Sequence, residues 1–255
     1  MRENLRYTIF IVFFSVVLLL ISQIGVAGYI HRSEDVVWPS ERIAVCWENL
    51  TQDDNIHAKK VQSIVSTEYF KAGYDFYSWV KCDSYLNLPK YLIRIEIVKG
   101  IPSCKDYGFR INHLKSGMNL KFSFSPTDVC AKNEKTKERC IQIYALHEFG
   151  HAVRLLHEHE RLDSNCFRGN WEETKKSGIE VSEYDKLSIM DYCQNRRMRN
   201  GKMPIMLSKG DLEAIKKIND RQAPTSECTE LQFPVKEQQI PLIIDLNNKI
   251  KKIFP

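Results

Sequence analysis

The segment from His147 to Arg161 reads HEFGHAVRLLHEHER. His147 and His151 are four residues apart, so on a helix both imidazoles leave the same face one turn from each other. That arrangement lets two neutral nitrogens reach a single Zn2+ at about 2.0–2.1 Å. Glu148 follows the first histidine and points off the ligand axis. It can therefore serve as general base toward a water activated by the metal without filling a coordination position. His157 offers a third nitrogen, six residues beyond His151. At about 100° per residue it would lie far around a continuing helix, so a site that uses it requires the helix to end between the two. His159 is the alternative third ligand.

The spacing His147-Glu148-x-x-His151 followed by His157 resembles the HExxHxxGxxH motif of the metzincin zinc peptidases. One position departs: Arg154 stands where that family has Gly at a left-handed turn. A non-Gly residue at positive φ costs about 1–2 kcal/mol, so either strain or a different turn is expected there.

A second motif lies downstream. Tyr184-Asp185-Lys186-Leu187-Ser188-Ile189-Met190-Asp191-Tyr192 resembles the Met-turn of the astacin branch, Ser-x-Met-His-Tyr preceded by Tyr-Asp. Astacin-like enzymes also continue the zinc motif as His-Glu-(His or Gln)-x-Arg-x-Asp, which His157-Glu158-His159-Glu160-Arg161-Leu162-Asp163 matches. A looser likeness to small bacterial astacin-like peptidases runs from Trp38-Pro39, through Val45-Cys46-Trp47-Glu48, to Leu207-Ser208-Lys209-Gly210-Asp211.

The resemblance implies an α/β (α+β) zincin-like fold, with a twisted mixed sheet, an active-site helix and an irregular lower subdomain ending in a helix. It further implies one Zn2+ held by His147, His151 and His157, with Glu148 as general base and Met190 as an apolar floor. Tyr192 is implied as a tyrosine that ligates the metal at rest and swings to stabilise an oxyanion. Asp191 stands where the family usually has His, so no role carries over to it. The activity implied is that of a zinc-dependent endopeptidase acting on protein or peptide substrates. Two rivals belong to other classes: a zinc-bearing homologue that only binds peptide, motivated by Arg154, and a membrane-anchored structural protein without metal. Among the cations, Arg154, Arg161 and the cluster 196–199 are the candidates for favouring acidic residues near a scissile bond.

Elements able to position these residues can be read from the patterning. Arg42 to Trp47 reads as a first strand, and Ile56, Val61, Ile64, Val65 and Phe70 as a long amphipathic helix. Residues 91–98 and 118–124 alternate as half-buried strands. Residues 141–156 return to a helical pattern, and Ser208 to Asp211 resembles a capping box opening a last helix. These elements describe one catalytic domain over 38–220, preceded by 1–27 and followed by a proline-punctuated tail, 221–255. The tail carries a short amphipathic pattern at Leu242 to Ile253.

Composition sets the compartment. The chain has 255 residues, of which 43% are hydrophobic and 27% charged, as in a globular protein. Residues 8–30 are uncharged, follow Arg2 and Arg6, and end in Gly25-Val26-Ala27. They read as a secretory signal peptide cut after Ala27 or, uncleaved, as a membrane anchor. Either way the remainder is exported, whether secreted, periplasmic or anchored. All eight Cys lie beyond that segment, which predicts a disulfide framework. A bridge between Cys166 and Cys193 would tie the third-ligand segment to the Met-turn. Removing 1–27 reduces the net charge of +5 to +4. The cations of 132–139 are interleaved with Glu134 and Glu138, which reads as a solvated loop rather than a nucleic-acid surface. The chain is expected to act as a monomer. Between Ala27 and Trp38 there is no room for a folded pro-domain and no Cys for a thiol switch; Asp35 is a candidate to cap the metal.

Overall fold

A computed structural model describes residues 28–164, 178–181, 183–192 and 205–220. By internal contacts the chain divides at Ala223/Pro224. The second unit lies outside the described residues, as do 1–27, Cys166, Cys193 and the cluster 196–199.

Strand β1, Tyr29–His31, opens the described fold; β2, Arg42–Trp47, follows, and helix α1 is Asn55–Phe70. Then come β3, Asp75–Lys81, β4, Leu92–Ile97, β5, Ser103–Cys104, and β6, Met118–Leu120. Helix α2 is Glu134–Ala152, β7 is Gly178–Glu180 and α3 is Lys209–Asp220. Five strands form one mixed sheet in the order β3-β2-β4-β6-β5, in which only β5 runs antiparallel. The fold is thus mixed α/β, as the sequence predicts.

The central strand β2 shows why. It is paired on both edges and buried on both faces, which a parallel strand covered by other elements requires. Ile43, Val45 and Trp47 join the main core with Val61, Val65 and Tyr69 of α1 and Ile141, Leu146 and Phe149 of α2. Ala44 and Cys46 face the opposite way, into a small cluster with Leu92. There the Cys46–Cys82 disulfide ties β2 to the residue just past β3.

Helix α2 corrects the sequence reading at its start. It begins at Glu134, seven residues before the expected 141, so most of the charged stretch read as a loop is its first turns. Two local features explain this. The Asn133 side chain accepts from the Thr136 amide at 2.8 Å, an N-cap, and the Cys130–Cys140 disulfide pins the first turns to the preceding segment. The far half of α2 is held by aromatic contacts. Tyr69 donates to the Leu146 carbonyl at 2.6 Å, Trp38 donates to the Ala152 carbonyl at 2.6 Å, and Phe149 lies 4.8 Å from Phe76.

The described fold also includes residues before 38. Strand β1 pairs antiparallel with β7, and Ile30 bridges Leu155. Tyr29 and Ile30 are buried, and a Cβ on Gly28 would meet Ala214 at 2.3 Å. The stretch between Ala27 and Trp38 is therefore anchored to the core through Tyr29, Ile30 and Val36. Asp35, the residue considered as a metal cap, is instead engaged by Arg110 at 2.7 Å and by the Ser33 hydroxyl.

Candidate metal centre

Helix α2 ends at Ala152, between His151 and His157, as a three-histidine site demands. The turn that ends it is left-handed at Arg154, with φ 82°. The strained geometry expected at the glycine position is adopted with an arginine in place. Packing and hydrogen bonding at that residue supply the compensation. Arg154 is 1% exposed, and its guanidinium donates to the carbonyls of His31 at 2.6 Å and Arg32 at 3.1 Å and to Glu34 at 3.0 Å. Its own carbonyl accepts from the His31 amide. Arg154 thus joins the N-terminal segment to the turn, and it is not a cleft residue. Arg161 is also fully buried, bidentate to Asp163 and donating to the Gly28 carbonyl at 3.0 Å. Neither arginine is placed to select substrates, contrary to the sequence expectation.

The turn delivers His157 to the other two histidines. One ring nitrogen from each of His147, His151 and His157 falls within 4.8 Å of the others, and the Nε2 atoms of His151 and His157 are 3.1 Å apart. Each opposite nitrogen has an acceptor. His147 Nδ1 is 3.0 Å from the Ile189 carbonyl, His151 Nδ1 is 2.8 Å from the Leu155 carbonyl, and His157 Nδ1 is 3.0 Å from Glu160 Oε1. An acceptor at Nδ1 fixes the proton there and leaves the Nε2 lone pair free to bind a metal. His157, rather than His159, completes the group. His159 Nδ1 faces the Tyr192 amide at 3.4 Å.

Whether the residues fit a zinc ion can be tested on one atom. His147 Nε2 is buried with no hydrogen-bond partner, a costly state for a polar atom in a protein interior. A cation at the meeting point of the three rings would satisfy it. Burial, reinforced by the other imidazoles, holds His147 well below the usual histidine pKa and His151 at about 3, so both are neutral and able to ligate. The residues present therefore fit the metal.

Glu148 sits beside this group in a cleft of about 480 Å3 that His147, Tyr192, Tyr144, Ile101 and Pro102 also line, a size typical of ligand pockets. Burial pushes its carboxyl up to about 8, opposed by a hydrogen bond from the Cys104 backbone amide on β5. Tyr192 is half exposed; its hydroxyl is 3.1 Å from His157 Nε2, and its ring lies 5.2 Å from that of His147.

Met190 is buried beneath α2. A Cβ on Gly150 would come within 2.4 Å of the Met190 sulfur, so only glycine lets the turn approach the helix here. Asp211, the third residue of α3, organises the turn from below. Its carboxylate accepts from the Ser208 amide at 2.9 Å, the Ser188 hydroxyl at 2.6 Å and the Ile189 amide at 3.0 Å. Ser208 Oγ in turn accepts from the Asp211 amide at 2.9 Å, completing the capping box. Glu158 is buried and ties the third-ligand segment to the same region: its amide donates to the Met190 carbonyl and its carboxylate accepts from the Asp185 amide at 2.8 Å. Asp191, for which the motif supplied no role, takes the Tyr184 hydroxyl.

Sequence reasoning missed two supports. The Cys104 amide on Glu148 leaves no signal in the sequence. Glu160, three residues past His157, does: a carboxylate at that spacing in a tight turn can hold the imidazole.

No protein-family model and no curated protein matches this chain. Among solved structures it is similar to two of myroilysin. One has 19% identity and a TM-score of 0.49, covering 75% of this chain and 98% of that one. The other has 18% identity and a TM-score of 0.45, covering 72% of this chain and 85% of that one. The reading of the site rests on its own geometry.

Proposed function

We propose that the protein is a zinc-dependent hydrolase, with His147, His151 and His157 as ligands and Glu148 as general base. More narrowly, we read it as an astacin-like metalloendopeptidase cleaving protein or peptide chains. The observation that carries the first step is the buried, partnerless Nε2 of His147 beside two further imidazoles whose Nδ1 atoms are already engaged. The narrower step draws on the Met190 and Tyr192 motif.

A zinc ion held there supplies Lewis-acid chemistry, polarising the scissile carbonyl and acidifying a water. The chain's own groups do the rest. Glu148, lining the cleft and steadied by the Cys104 amide, takes the proton of the attacking water at its carboxylate and returns it to the leaving amine. The Tyr192 hydroxyl, open to the cleft, donates to the developing oxyanion. Ile101 and Pro102 offer apolar surface to a substrate at the edge of the cleft.

The domain plan belongs to the same proposal: 1–27 as signal peptide or anchor, 38–220 as the catalytic domain joined by the folded segment before it, and 221–255 as a tail. Export as a monomer, with membrane attachment through residues 8–30 if they stay uncleaved, completes it. The Cys46–Cys82 and Cys130–Cys140 bonds suit an oxidising compartment. Among the described residues no helix is long and apolar enough to cross a membrane. The rival reading, a zinc-bearing protein that only binds peptide, drew on Arg154; with that residue in the left-handed turn and His157 beside His151, it loses its motive.

The test is Glu148→Gln. Cleavage of casein or gelatin should vanish while one equivalent of zinc stays bound by elemental analysis; undiminished turnover would remove Glu148 from this role.

A further inference from the structure

We infer that Tyr107 is a positioning residue of the metal centre: its ring fixes the plane of His151, and the segment before Trp38 holds Tyr107 in place. The inference rests on the zinc reading of the three histidines and adds to it a side chain that neither motif contains.

The ring of Tyr107 stands 5.3 Å from that of His151 at an interplanar angle of 85°, the edge-to-face arrangement that aromatic pairs favour. Among the described residues it is the one ring outside the triad in contact with His151; the other two belong to His147 and His157. Tyr192 packs on His147 and His157, at 5.2 and 4.7 Å. The three ligands are thus divided between two tyrosines. His151 needs such a neighbour because its other restraint is a single hydrogen bond, Nδ1 to the Leu155 carbonyl at 2.8 Å. One hydrogen bond sets the tautomer but tolerates roughly 30° of misalignment, and a ring in contact removes that slack. The Tyr107 hydroxyl has no hydrogen-bond partner among the described residues, so it is the ring that acts on His151.

The position of Tyr107 is dictated from the N-terminal side. His31 of β1 packs against it at 5.2 Å and 32°, so three rings run in a chain from β1 to the second ligand. The His31 backbone is itself gripped by Arg154, its amide donating to the Arg154 carbonyl and its carbonyl accepting from the guanidinium at 2.6 Å. Tyr107 is the N-cap of a 3-10 turn, Gly108–Ile111. A Cβ on Gly108, at φ 52°, would stand 1.8 Å from the Val36 carbonyl, so only glycine lets this turn abut the segment. Arg110 of the same turn pairs with Asp35 at 2.7 Å. A ligand ring oriented before the ion arrives binds more tightly than one the ion must order. Partners that orient metal ligands typically account for 10–100-fold in affinity, and a ring contact without a hydrogen bond belongs at the low end, about 10-fold.

Zinc affinity of the full chain, measured by competition with a chromophoric chelator at a temperature where circular dichroism shows every variant folded, tests this. Tyr107→Ala should bind zinc about 10-fold more weakly than the wild type, and Tyr107→Phe, which keeps the ring, within about twofold of it. His31→Ala should weaken binding by a smaller factor, and should add nothing in the Tyr107→Ala background, because it acts through that ring. In the cobalt-substituted protein the visible absorption of the phenylalanine variant should match the wild type and that of the alanine variant should differ. Wild-type affinity in Tyr107→Ala, or a loss in Tyr107→Phe equal to that in alanine, overturns the inference. A His31→Ala effect undiminished in the double variant overturns the part given to β1. A wild type that takes up no zinc overturns the zinc reading instead.

Discussion

Replacing Arg154 separates what its backbone costs from what its side chain contributes. A non-Gly residue at φ 82° carries about 1–2 kcal/mol of strain. Against this stand charge-assisted hydrogen bonds to the carbonyls of His31 and Arg32, each contributing about 1.5–3 kcal/mol. The Glu34 pair, with that carboxylate 66% exposed, adds at most about 1 kcal/mol. Arg154→Ala keeps the strain and loses the bonds, so it should destabilise by about 4–6 kcal/mol. Arg154→Gly relieves the strain but loosens the unfolded chain by about 0.4–1 kcal/mol, so it should cost roughly 1 kcal/mol less than the alanine variant. Urea unfolding of the three proteins under one zinc condition measures both differences. Amide exchange should also rise at Tyr29–His31 in both variants. A glycine variant as stable as the wild type, or an alanine variant as stable as the glycine one, would refute the account of this turn.

Gly150→Ala should destabilise by about 1–3 kcal/mol through overpacking against the Met190 sulfur; in a Met190→Ala background most of that penalty should vanish, and a cycle with no coupling would count against the contact. In the metal-free protein, His147 and His151 have folded pKa values below 6.5, and Glu148 and Glu158 have theirs raised from 4.5 to about 8. The histidines take up protons on unfolding, so their contribution is present above 6.5 and lost as pH falls; the carboxyls release them, so theirs is present below 4.5 and lost as pH rises toward 8. The slopes oppose between those limits. Urea midpoints should therefore be highest between about pH 4.5 and 6.5 and decline on either side, and a midpoint still rising toward pH ~8 would contradict this. Replacing both cysteines of the Cys46–Cys82 pair, 36 residues apart, should cost about 1 kcal/mol more than replacing Cys130 and Cys140, 10 apart. Equal unfolding midpoints would remove loop length as the reason.

The candidate metal centre was legible because such chemistry needs residue types at helical spacing: His147, Glu148 and His151 announce a helix face, and His157 dictates where that helix stops. The capping box at Ser208 was legible for the same reason, being local. Part of what escaped has its cause far along the chain. Strand β1 is three residues long and adjoins an uncharged hydrophobic run, so nothing local marks it as core; its partners are β7, Leu155 and Arg154. The early start of α2 hid behind its charges, because Asn133 and the Cys130–Cys140 bond decide it and periodicity does not. The sign of Arg154's φ was anticipated from the motif, but the side chain's hold on residues 31–34 required the tertiary structure.

Asp211 has a consequence of its own. The carboxylate that closes the first turn of α3 is the same one that holds Ser188 and Ile189, and the Ile189 carbonyl in turn steadies His147. Helix α3 and the first ligand therefore open together or stay closed together, so occupancy of the centre should be felt as slowed hydrogen exchange along Lys209–Asp220. Helix α3 would then act as a gauge of the metal.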